Sequence, residues 1–177
     1  YYPVAVRSYR VPAAETAHAP TANLLALHCV RHLALNTFDV GRPVALLLPP
    51  QLHTLQIDQA PSLHTIPNLL AVPLTSLELV SCLTLTIDAF PPTHRRLKIT
   101  SSLLPLDTLV LPHLDELALA RCSRLSTLAL PSSLTRLEIT NAAALHTITA
   151  PDTPSLVSCH IAGCHALTEL TLPSSLQ

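Results

Sequence analysis

The sequence predicts a β-rich solenoid of about seven coils, each 20–22 residues long, with a parallel sheet and little or no regular α-helix. Three observations lead there. The first is a recurring apolar triplet, L-x-I/L, at Leu33-Ala-Leu35, Leu55-Gln-Ile57, Leu77-Glu-Leu79, Leu97-Lys-Ile99, Leu117-Ala-Leu119 and Leu137-Glu-Ile139, with a variant at Cys159-His-Ile161. Successive triplets start 22, 22, 20, 20, 20 and 22 residues apart, a period typical of coils that bury apolar residues only against their neighbours. The second is local spacing: apolar residues alternate over short segments, which suits extended chain, and no window sustains a stripe at i, i+3, i+4, i+7. The third is composition, since 177 residues at 49% hydrophobic supply a continuous core.

Residues 1–22 do not follow the repeat and form either an N-terminal cap over an open solenoid end or the tail of a preceding domain. The solenoid occupies 23–177. Its first coil runs from Leu24, with Val30, Leu33 and Leu35 on the template, and the link from Asn36 to Leu48 is the least regular. There Phe38, Val40, Val44 and Leu46 supply inward positions, and Gly41 and Pro43 a turn. In later coils a second apolar set follows each triplet, as in Leu125, Leu128 and Leu130, or Leu167, Leu170 and Leu172.

Pro91, Pro131, Pro151 and Pro173 each lie 14 residues after a triplet start, and Pro112 one later. A residue that cannot donate to a ladder belongs at a corner between extended segments. Before the triplets, Leu52, Leu74, His94, Leu114, Leu134 and Leu156 form an inward column in which His94 replaces leucine. Either the coil is distorted there or His94 is a buried polar residue needing a partner. Five residues after the start of each triplet from Leu55 onward, Ala60, Cys82, Ser102, Cys122, Ala142 and Cys164 form an inward ladder of small residues. The chain breaks off mid-unit at Leu172-Pro-Ser-Ser-Leu176-Gln177 and has no Met even at position 1, so a processed or longer protein is expected, with more repeats or another domain beyond 177.

Five cysteines cannot all pair internally, and Cys82 and Cys122 are two coils apart, at about twice the ~4.8 Å strand spacing and so beyond the ~7 Å reach of a disulfide. Free buried thiols point towards an intracellular reducing compartment, with localisation otherwise open. A net charge of -1, from 10 basic and 11 acidic residues, exerts no general pull on nucleic acid or anionic membrane. No apolar run of about 18 residues exists to span a bilayer.

The phrases Cys122-Ser-Arg-Leu125-Ser-Thr-Leu128-Ala-Leu130-Pro-Ser-Ser-Leu134 and Cys164-His-Ala-Leu167-Thr-Glu-Leu170-Thr-Leu172-Pro-Ser-Ser-Leu176 resemble leucine-rich repeats of the BspA-like, Treponema-type class. The short period and the L-P-S-S-L phrase are also similar to the repeats of bacterial effector proteins. Ala142 and Ser102 depart from the Asn usual in those effectors, and the A-F segment of the BspA-like unit survives only at Ala89-Phe90, so the subclass stays open. The resemblance covers roughly residues 24–177. It implies a non-catalytic module that binds another protein, a structural part of a larger assembly, or the recognition arm of a larger enzyme such as a ubiquitin-ligase effector.

The outward strand positions are the candidate binding surface: Gln56, Glu78, Lys98, Glu138 and His160 in the middle of the triplets, and Arg96, Glu116 and Arg136 just before them, with Arg95 alongside. Arg95, Arg96 and Lys98 are its densest cluster. Lys98 beside Glu78, and Arg96 beside Glu116, are alternatively ordinary cross-strand pairs on a solvated sheet. His28-Cys29-x-x-His32 and Cys159-His160-x-x-x-Cys164-His165 offer metal-ligand types, but Cys159 and His160 point to opposite faces of extended chain, and no metal or other cofactor is expected. Dispersed acids and only two glycines offer neither paired catalytic carboxylates nor a phosphate-cradling loop. Few glycines and the L-x-x-L-x-L phrase also disfavour a parallel β-helix enzyme, and no catalysis is expected.

Overall fold

In the computed structural model, which describes residues 4–6, 21–36, 43–101, 111, 113–150 and 153–172, seven five-residue strands centre on the seven triplets. They are His32–Asn36, Thr54–Asp58, Ser76–Val80, Arg96–Thr100, Glu116–Ala120, Arg136–Thr140 and Ser158–Ala162. With Val4–Val6 ahead of them they form one eight-stranded sheet, every pair parallel and in chain order. The register is unbroken along the triplets: Leu33, Leu55, Leu77, Leu97, Leu117, Leu137 and Cys159 face one another in succession. The two extra residues of the longer units are therefore absorbed outside these strands. The seven triplet strands bound six complete turns of a β-solenoid.

Period-2 alternation carries both apolar members of each triplet inward, and from Leu33 to Ile139 all of them are at most 2% exposed. Each such side chain contributes roughly 1.5–3 kcal/mol by leaving water. The opposite wall is made of shorter strands in two three-stranded parallel sheets, Thr21–Asn23 with Val44–Leu47 and Leu63–Thr65, and Thr127–Ala129 with Thr147–Thr149 and Glu169–Thr171. Leu46, Leu63, Leu128 and Ile148 point inward from it. Leu170, on the last described strand, is 47% exposed. Helix among the described residues is limited to one 3-10 turn, Leu69–Ala71.

Two turn types recur among the described coils. At the proline corner the amide of the inward residue donates to the carbonyl three residues back: Leu52 to Pro49 at 3.2 Å, His94 to Pro91 at 3.0 Å, Leu134 to Pro131 at 3.1 Å. Proline suits that acceptor because only its missing amide would be lost. The second turn follows the small residue, as Leu63 to Ala60 and Leu145 to Ala142, each at 3.2 Å. Between strand and small residue the backbone turns left-handed at Gln59, Ser81, Ser101, Arg121, Asn141 and Gly163, with φ from 53° to 68°. Each of these amides except that of Gly163 donates to the last strand residue of the next coil, from Gln59 to Val80 through Asn141 to Ala162, at 2.8–2.9 Å. The kink thus ends one strand and locks it to the next.

Ala60, Cys82, Cys122 and Ala142 are at most 2% exposed, and Cys164 half-buried, as the small ladder predicts. Ser102 lies outside the described residues. So do Phe38, Val40, Gly41, Pro112, Pro151, Pro173 and Leu176, whereas Val44 and Leu46 point inward as expected. His94 is the buried polar alternative: it is 1% exposed in an intact coil between the Leu74 and Leu114 levels.

Candidate functional site

The unbroken register lines up the outward residues of the long sheet into rows that cross the strands. One row reads Thr54, Ser76, Arg96, Glu116, Arg136, Ser158; the next reads Gln56, Glu78, Lys98, Ala118, Glu138, His160. Neighbours along a row stand one strand spacing apart, ~4.8 Å, within reach of charged side chains. Lys98 Nζ lies 2.7 Å from Glu78 Oε1, and Arg96 Nε lies 3.5 Å from Glu116 Oε2, so both expected cross-strand pairs form. These side chains are 30–65% exposed, and each pair contributes only about 0.2–1 kcal/mol.

Arg95 sits on the approach to its strand, beside the rows. There the Arg95 carbonyl accepts the amides of Asp115 and Glu116, at 2.8 and 3.0 Å, as the Thr75 carbonyl accepts those of Arg95 and Arg96. Its guanidinium donates to the His113 carbonyl at 3.2 Å and lies 4.0 Å from Asp115 Oδ1. Neither Arg95 nor Asp115 belongs to a triplet, so the repeat alone does not pair them.

Glu78, Arg96, Lys98, Glu116, Arg136 and Glu138 surround one shallow hollow of about 240 Å³ whose floor includes Ala118. Six of the nine residues proposed from sequence thus meet at one place. Gln56 and His160 lie further along the same row, and Arg95 borders a neighbouring polar hollow with Thr54, Thr75, Ser76, Arg96 and Asp115. Sequence reasoning missed Ala118 as a site residue. Its signal was a break in the row, a methyl group between Lys98 and Glu138.

None of the five cysteines is joined in a disulfide. Burial pushes the Cys82 thiol up to about 11, against the opposing effect of the Ala60 and Val80 backbone, and burial also raises Cys159. Among the described residues no group of three or more His, Cys, Asp or Glu is placed to hold a metal, and no helix is long and apolar enough to cross a membrane. No protein-family model matches the chain, and comparison with curated proteins and with solved structures finds no match.

Proposed function

We propose that the chain is a leucine-rich repeat module that binds a protein partner through the outward face of its long parallel sheet. The observation behind this reading is the concentration of charge: six charged residues from four adjacent strands border one hollow, in a chain with only 12% charged residues. Stacked coils hold those side chains in rows that a partner meets as one rigid surface. The leucine-rich repeat assignment draws support from the buried triplet columns and from the small residue after each kink. Rim charges of this kind govern encounter rate and register more than raw affinity.

Affinity capture tests the reading, using wild type, an Arg95→Glu/Arg96→Glu/Lys98→Glu variant, and a control with Thr127→Glu and Thr149→Glu on the opposite wall. A partner recovered by wild type and control but lost with the triple variant supports it; equal recovery by all three removes the long sheet from contention. A second reading, a structural part of a larger assembly, is favoured by Val157 and Leu170, which are 82% and 47% exposed on the last described coil. Those side chains suit contact with a further coil or another subunit.

A further inference from the structure

The two rows contain six fully charged side chains, and two ion pairs engage four of them. Arg136 and Glu138 remain, with no ion pair among the described residues, on one strand and on its outward face. Glu138 has Ala118 and His160 as its strand neighbours, and the nearest cation along that row, Lys98, is held on its far side by Glu78. Arg136 faces Glu116, whose carboxylate already contacts Arg96. Ala118 leaves the hollow between them open. These two positions, two residues apart on a parallel strand, stand about 6.6 Å from each other along the backbone.

From this geometry we propose that the hollow over Ala118 receives an extended peptide segment of the partner carrying an acidic and a basic side chain two residues apart, the acid on Arg136 and the base on Glu138. This rests on the interaction-module reading and specifies its occupant. An extended peptide laid along the Arg136–Thr140 strand presents side chains i and i+2 on one face at that same spacing. Peptides with two like charges place one of them against its own kind. Because the contacts are exposed, two matched pairs give a modest selectivity, roughly 2- to 30-fold over a like-charged peptide.

The test is an NMR titration of the isotopically labelled chain with three capped Ser/Thr nonapeptides whose central residues are Glu-Thr-Lys, Glu-Thr-Glu or Lys-Thr-Lys. The mixed peptide is expected to shift the Ala118, Arg136 and Glu138 amides and to bind 2- to 30-fold more tightly than the others. Ala118→Lys, which fills the hollow and gives Glu138 a cross-strand cation, abolishes the preference. Glu138→Lys turns it towards Glu-Thr-Glu. Equal binding of the three peptides, no shift at these amides, or a preference unchanged in Glu138→Lys overturns the proposal. Those outcomes leave the interaction-module reading to the capture experiment, where loss of a partner from the Arg95/Arg96/Lys98 variant sustains it independently.

Discussion

The ring of Phe90 stacks on that of His94 inside the solenoid, with centroids 5.1 Å apart and planes 15° from parallel. Neither nitrogen of His94 has a hydrogen-bond partner, although the residue is 1% exposed and fills a level that leucine occupies in neighbouring coils. An unsatisfied buried polar group costs about 1–3 kcal/mol, more than a stacked ring pair returns, at about 0.5–1.5 kcal/mol. His94→Leu is therefore expected to stabilise the chain by about 1–2 kcal/mol at neutral pH. A higher urea midpoint with an unchanged slope shows this; a lower midpoint contradicts it.

The same residue makes stability depend on acidity. Burial lowers its pKa from 6.5 to about 4, and the Leu74 carbonyl, near the ring but outside good hydrogen-bond geometry, offsets only part of that effect. Between those values the unfolded chain binds a proton that the folded chain does not, so stability rises with pH across the window. It is fully present above about pH 6.5 and is lost as pH falls through about 4, a span of roughly 3 kcal/mol. Subtracting the His94→Leu profile cancels the other histidines. The difference between the two proteins is expected to widen from pH 7 to pH 4, and a constant difference counts against a neutral buried imidazole.

Much of this fold was legible because period and alternation are written directly in residue type. Leu137 and Ile139 announce both the strand and its inward face, and Pro131 announces the corner before Leu134. The left-handed kink was not legible. It falls on Gln59, Ser81, Ser101, Arg121, Asn141 and Gly163, types that share no local preference beyond the last two, so tertiary stacking imposes it. The candidate surface was legible as rows, since register follows from the repeat. Which charges are left over was not: that depends on which way Lys98 and Glu116 lean, settled by side-chain geometry between three strands.

Thiol reactivity is expected to follow burial. Cys82 and Cys122 are enclosed, with their sulfurs 3.6–4.0 Å from backbone carbonyls, while Cys29 is exposed. With a pKa of about 11, roughly one Cys82 in a thousand is thiolate at pH 8. Brief alkylation of the native chain, read by mass spectrometry, is expected to modify Cys29 and spare Cys82 and Cys122 until denaturant is added. Cys82→Ala is expected to cost only about 1 kcal/mol, since Ala60 and Ala142 occupy the same level, whereas Leu77→Ala is expected to cost about 2–5 kcal/mol. Comparable losses for the two variants contradict the ladder of small residues.

The kink at Gly163 sets a different constraint. Its φ is +68°, and a Cβ there would meet the Asn141 side chain, with Cγ at 3.2 Å and Oδ1 closer still. Gly163→Ala therefore combines a left-handed backbone cost of roughly 1–2 kcal/mol with a clash that Asn141 relieves only by turning away. Adding Asn141→Ala removes the clash and leaves the backbone cost, so the double variant is expected to regain part of the loss. Because each coil contacts only its neighbours, the damage belongs to the strand Ser158–Ala162 and its flanks. Hydrogen exchange is expected to quicken there in Gly163→Ala, while Leu55, Leu77 and Leu97 keep their protection. Uniform acceleration along the whole sheet instead shows that the solenoid opens as one cooperative unit, and places the kink among its global determinants.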